Sequence, residues 1–194
     1  LFTPKTVAPA KGWPIVVWAH GTTGVADICA PSKSSMDLDV KSMINELLSA
    51  GYVVIAPDYE GLGEPSGTEA HPYLNLKSEA FSITDAVVAT RDYLTKQGKS
   101  VSKNWVTVGH SQGGHAALGA GEYQSRAQLD YKGTVAIAPA SNLKTIFQVG
   151  AASVANLPAT QQVATYTSLN SYAALITAGM QNPPNITLYG QVFE

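Results

Sequence analysis

Trp105-Val-Thr-Val-Gly-His-Ser-Gln-Gly-Gly-His-Ala-Ala-Leu118 reads as a short apolar strand, a sharp turn and a helix of small residues. The strand is Trp105 to Val108 and the turn is Gly109-His110-Ser111-Gln112-Gly113. A bare Gly-x-Ser-x-Gly match says little. Set between an apolar strand and a compact helix, it has the layout of a nucleophile elbow. Gly109 and Gly113 are required where neighbouring backbone leaves no room for a Cβ. Gly114, Ala116, Ala117, Gly119, Ala120 and Gly121 let the helix lie close to its neighbours. The helix N-terminus turns free N–H groups toward the serine and favours negative charge there. Ser111 is therefore the candidate nucleophile, and the Gln112 N–H the first candidate oxyanion donor.

Upstream, Ile15-Val-Val-Trp-Ala19 is a continuous apolar run, as in a strand buried on both faces. It ends in the glycine-rich loop His20-Gly21-Thr22-Thr23-Gly24. Val40, Met43, Ile44, Leu47 and Leu48 form one helical stripe, with Asp37 and Asp39 at its start and Gly51 after its end. Tyr52 to Ala56 predicts a second buried strand, running into Pro57-Asp58-Tyr59-Glu60-Gly61-Leu62-Gly63. A loop over 64–76 precedes a helix from about Ser78 to Leu94, then a polar loop over 95–103. Gly133 to Ala138 predicts a further buried strand. Apolar strands alternating with helices predict a parallel, doubly wound sheet with its ligand loops on one rim. Residues 141–194 depart from this pattern, with Lys144 and Glu194 as the only charges. Their apolar positions, among them Val149, Val154, Leu157, Leu169, Tyr172, Leu175 and Ile176, suggest helices. The expected organisation is a core over 1–140 and the start of a helical cap over 141–194, because a long segment leaving a functional rim is usually a lid.

The chain has 194 residues, a net charge of −2 and 13% charged residues. That charged share is about half the usual value, and fits a protein that faces apolar material. There is no basic run, so nucleic acid is not expected as a partner. No stretch is long and apolar enough to span a bilayer, so stable membrane insertion is not expected either. Cys29 is the single cysteine. No metal site or cofactor motif is found.

Trp18-Ala-His-Gly-Thr-Thr-Gly24, Cys29-Ala-Pro-Ser32, Asp58-Tyr-Glu-Gly-Leu-Gly63, His71-Pro-Tyr73 and Gly109-His-Ser-Gln-Gly-Gly114, in this order, resemble the α/β-hydrolases. Within them they look like the secretory lipase family of the lipase A type. The resemblance implies an α/β-hydrolase fold with a helical cap and a carboxylesterase or lipase acting on acyl esters or acylglycerols. It implies Ser111 as nucleophile and the Gln112 N–H as one oxyanion donor. It also implies a second donor from the loop after His20, expected to be Thr22, with Thr23 as the alternative. Cys29 matches a disulfide cysteine of the family, whose partner would lie outside this chain, as suits a secreted or periplasmic protein.

The triad acid and base do not follow from these residues. In this fold the chain order is Ser, acid, His, yet His20, His71 and His110 precede Ser111 and His115 follows by only four residues. His20 and His110 read as hydrogen-bonded, loop-shaping residues, His71 as a surface or cap contact, and His115 as pointing along its helix. An Asp or Glu and then a His are expected in a further C-terminal part of the same hydrolase. A non-catalytic lipid-binding relative, or a serine peptidase or acyltransferase on the same fold, are the competing readings.

Overall fold

The computed structural model describes residues 1–67 and 69–180. Among the described residues, four parallel strands form one sheet in the order β2-β1-β3-β4. They are β1 (Trp13–Ala19), β2 (Val53–Ile55), β3 (Val101–His110) and β4 (Asp130–Ile137). The helices are α1 (Leu38–Ser49), α2 (Leu76–Lys96), α3 (Gln112–Glu122), α4 (Leu143–Val154) and α5 (Ala159–Gly179). The parallel, doubly wound sheet with helices expected from the sequence is the architecture observed.

Alternate residues of β1 point to opposite faces, and both faces are covered. Val16 joins Val54 and Ile44 of α1 on one side. Ile15 and Val17 join Ile83 and Val87 of α2, Trp105, and Ala116 and Ala120 of α3 on the other. This two-sided burial is why β1 reads as a continuous apolar run. Asp37 caps α1, its carboxylate accepting from the Asp39 N–H. Asn75 does the same for α2 through the Ser78 N–H. That cap starts α2 two residues earlier than the periodicity suggested.

β3 begins at Val101 rather than Trp105, because Val101 pairs with Trp13 across the sheet. The polar stretch Ser102-Lys-Asn104 carries no strand signal of its own; it spans a register shift between the Trp13–Val101 and Ile15–Trp105 pairs, and Asn104 pairs with Asp130 of β4, so the flanking pairs impose the conformation. The chain goes from β1 out to β2 and returns to place β3 on the other side of β1. The strand order therefore reverses between β1 and β3, and a crevice opens at their carboxyl ends. β4, at the sheet edge, leaves Val135 and Ile137 about half exposed (53% and 47%).

α4 and α5 pack on each other. Ile176 of α5 forms a small cluster with Tyr73 and Leu74, joined by Leu143, Phe147 and Leu175. Residues 181–194 of the expected cap segment lie outside the described residues. Among the described residues no helix is long and apolar enough to cross a membrane.

Candidate active site

β3 delivers Ser111 into a backbone conformation that few residues adopt, φ +57° and ψ −119°. Such a residue stores roughly 1–3 kcal/mol of strain and persists only when its surroundings impose it. Here they do. A Cβ at Gly109 would stand 2.0 Å from Gly113 O, and one at Gly113 would stand 1.9 Å from Ala19 O. Only hydrogen fits at either position. The Ser111 N–H donates to Ile137 O (3.0 Å), and Ser111 O accepts from His115 N and Ala140 N (both 3.1 Å). The Ser111 hydroxyl caps nothing and makes no hydrogen bond among the described residues.

The β1 loop approaches this turn at Gly21, where a Cβ would lie 3.4 Å from His110 O and 3.9 Å from Ser111 Cβ. Thr22 follows, its hydroxyl 2.8 Å from Tyr73 Oη; Thr23 is exposed. The loop is set from beneath. His20 is buried, stacks on Tyr59 at 4.2 Å and donates from Nδ1 to Gly21 O at 2.7 Å. The Tyr59 hydroxyl donates to His20 O at 2.9 Å. Burial lowers the His20 pKa, so its ring stays neutral.

Ser111 opens onto a cavity of about 240 Å³. Tyr73, Leu143, Phe147, Leu169, Tyr172 and Ile176 are among its walls, so apart from the serine and the tyrosine hydroxyls the lining is largely apolar. The sequence pointed to Leu169, Tyr172 and Ile176 but not to Leu143, Ile146 and Phe147, although their i, i+3, i+4 spacing marks one helical face.

Three histidine assignments change. His71 is not a surface contact: it is 1% exposed, its Nδ1 donates to Glu60 O (2.7 Å), and its Nε2 lies 3.1 Å from Gln112 Nε2. Burial lowers its pKa too. His110 does not shape the loop through its imidazole. It is exposed beside the β1 loop, its Nδ1 4.0 Å from where a Cβ on Gly21 would stand, and makes no side-chain hydrogen bond among the described residues. His115 extends from α3 to Glu79 Oε2, 2.7 Å away. Glu79, which the sequence reading passed over, is fully buried and also accepts from Gln112 Nε2 at 2.9 Å. Cys29 is a half-buried free thiol, packed so closely on Gly24 that a Cβ there would stand 2.5 Å from its Sγ. Among the described residues no cluster of His, Cys, Asp or Glu could hold a metal ion.

The sequence matches the model of the alpha/beta hydrolase family over residues 16–191. No curated protein matches it. Among solved structures, a protein of Legionella pneumophila provisionally described as a hydrolase is similar, with 20% identity and a TM-score of 0.63, over 96% of this chain and 51% of that one. The rice cell wall degrading esterase LipA from Xanthomonas oryzae is 27% identical, with a TM-score of 0.58, over 73% of this chain and 36% of that one. Candida antarctica lipase A in its closed state is 22% identical, with a TM-score of 0.52, over 68% of this chain and 31% of that one. The chain thus spans about half of the first of these proteins and about a third of the other two.

Proposed function

The chain belongs to the alpha/beta hydrolase family, and from that premise we propose that it carries the nucleophile of a serine carboxylic-ester hydrolase. The observation that carries this reading is Ser111 itself. Its positive φ lifts an uncommitted hydroxyl to the N-terminus of α3, at the mouth of an apolar cavity. In this reading Ser111 Oγ attacks the ester carbonyl and the tetrahedral oxyanion sits at the helix N-terminus. The main-chain N–H groups of Gln112 and Thr22 receive it. Loss of the alcohol leaves an acyl-enzyme, which water then hydrolyses. The likeness to the esterase LipA, at 27% identity, supports ester chemistry.

A serine hydroxyl needs a base held by a third group. His20, His71 and His115 are committed to Gly21, Glu60 and Glu79. We assign the acid and the histidine, in that order, to a further part of the same protein. Val135 and Ile137 on the edge strand are then the surface onto which that part folds. α4 and α5 act as the cap, and the cavity they help to wall holds the acyl chain. Membership of the secretory lipase family, an extracellular or periplasmic location and a Cys29 disulfide to a cysteine outside this chain belong to the same reading.

The test is labelling of the full-length protein by a fluorophosphonate, with short-chain nitrophenyl esters as substrate. Ser111 should carry the label. Ser111→Ala should cost several orders of magnitude in turnover, leaving about 10³–10⁴ over the uncatalysed rate from oxyanion binding alone. Unlabelled, folded protein that still binds lipid would favour the non-catalytic alternative.

A further inference from the structure

We propose that Glu79 and His71 are positioning residues: together they grip the Gln112 side chain from behind the elbow and so hold its main-chain N–H aimed above Ser111. This rests on the reading of Ser111 and Gln112 just given. Gln112 is the first residue of α3 and its side chain points inward, leaving the residue 1% exposed. Its carboxamide nitrogen has two hydrogens and meets two acceptors. Glu79 Oε1 takes one at 2.9 Å and His71 Nε2 the other at 3.1 Å.

The protonation of His71 follows from its other nitrogen. Nδ1 lies 2.7 Å from Glu60 O, and a carbonyl can only accept, so the proton sits on Nδ1 and Nε2 is left as the acceptor that Gln112 requires. Glu79 Oε2 meets His115 Nδ1 at 2.7 Å, so one carboxylate grips α3 at its first residue and again three residues on.

A fully buried carboxylate is costly, and apolar packing between α2 and α3 would serve stability as well. What an apolar pair lacks is direction. The N–H of a helix's first residue has no acceptor within the helix, and one misplaced donor weakens oxyanion stabilisation steeply. The Ser111–Gln112 peptide is held on its carbonyl side by His115 N and Ala140 N. The Glu79–Gln112–His71 arrangement holds the following Cα, so both ends of the donor are tied.

The experiment uses the full-length protein, with active sites titrated by a fluorophosphonate and kcat expressed per titrated site. Gln112→Met keeps the main-chain N–H but cannot make either hydrogen bond. It should lower kcat by about 10–100-fold and leave KM within about twofold. Glu79→Leu should match it. Glu79→Gln, which still offers an oxygen to Gln112, should recover most of the Glu79→Leu loss. If Gln112→Met does not fold, Gln112→Asn, too short to span both acceptors, should show the same kcat defect. A merely structural role would lower the number of titratable sites without changing kcat per site, and that result overturns the proposal. So does a Glu79→Gln variant as poor as Glu79→Leu, since charge rather than geometry would then be at work. A wild-type protein that takes no label overturns the reading of Ser111, and the inference with it.

Discussion

The elbow and the α4–α5 segment line the same cavity and are held in different ways. At the elbow a Cβ on Gly113 would meet backbone at 1.9 Å, and Ser111 is pinned by three main-chain hydrogen bonds. Along α4 and α5 only Val154, Ile176 and Gly179 are fully buried, and Gly150 has nothing nearer than a leucine methyl at 3.8 Å from an added Cβ. One wall of the cavity is over-determined; the other is anchored at its end, where Ile176 packs on Tyr73 and Leu74 and an added Cβ on Gly179 would stand 2.7 Å from Tyr73 N, and is looser along α4. A reaction centre needs positions held to a fraction of an ångström, whereas a wall that accepts an apolar chain needs only volume.

The sharpest way to break this contrast is the same substitution in both regions. Gly113→Ala drives a methyl into Ala19 O and should cost about 3 kcal/mol or more, or prevent folding. Denaturant unfolding of the full-length protein measures it. A Gly113→Ala protein of ordinary stability would mean that the elbow is looser than its geometry.

Acid should act on one region and spare the other. His20 and His71 both have pKa values below the ordinary 6.5 because they are buried. The unfolded chain therefore takes up protons first. Their contribution to stability is complete above about pH 6.5 and is lost as pH falls through the lowered values. Residues 143–179 contain no histidine or carboxylate, and Lys144 is their only charged side chain. Hydrogen exchange corrected for its intrinsic pH dependence should show protection falling on acidification around His20, His71 and the start of α3, ahead of α4 and α5. Loss in the reverse order would contradict the assignment of neutral, buried rings.

On the cavity's softer wall, Leu169→Trp should shift preference toward shorter acyl chains by about tenfold while stability stays within about 0.5 kcal/mol. Chain-length profiles on nitrophenyl esters decide it; a flat profile would make α4 and α5 a plain extension of the core. The smallest effect is expected from Gly150→Ala. In the interior of α4, where an added Cβ makes only ordinary contact with Leu169 at 3.8 Å, the methyl should stabilise by about 0.5–1 kcal/mol. Destabilisation there would show that α4 is packed as tightly as α3.

The contrast also explains which residues could be read in advance. Gly109 and Gly113 announce themselves because a steric requirement for hydrogen survives in any linear representation of the chain. Glu79 does not. On a helix with Lys77, Asp85, Arg91 and Asp92, a glutamate reads as one more solvated charge. It is buried because α2 packs across α3 and brings residue 112 against it, 33 positions away. His71 was misread for a similar reason, since a proline neighbour suggests surface but carries no information about Glu60 O or Gln112. Leu143, Ile146 and Phe147 were passed over because their apolar face is met by Tyr73 and Ile176 only once α5 has returned to Tyr73.

By itself the sequence determined the parallel sheet, its helices, and the strand–turn–helix that presents Ser111. These follow from periodicity, capping and steric exclusion, which act over a few residues. Only the tertiary structure decided that Glu79 and His71 converge on Gln112, that the Thr22 hydroxyl meets Tyr73, and that α4 and α5 help to wall the cavity beside Ser111. Those contacts join residues that are distant along the chain. A buried polar group is defined by which partner arrives to satisfy it, and local sequence does not encode the arrival.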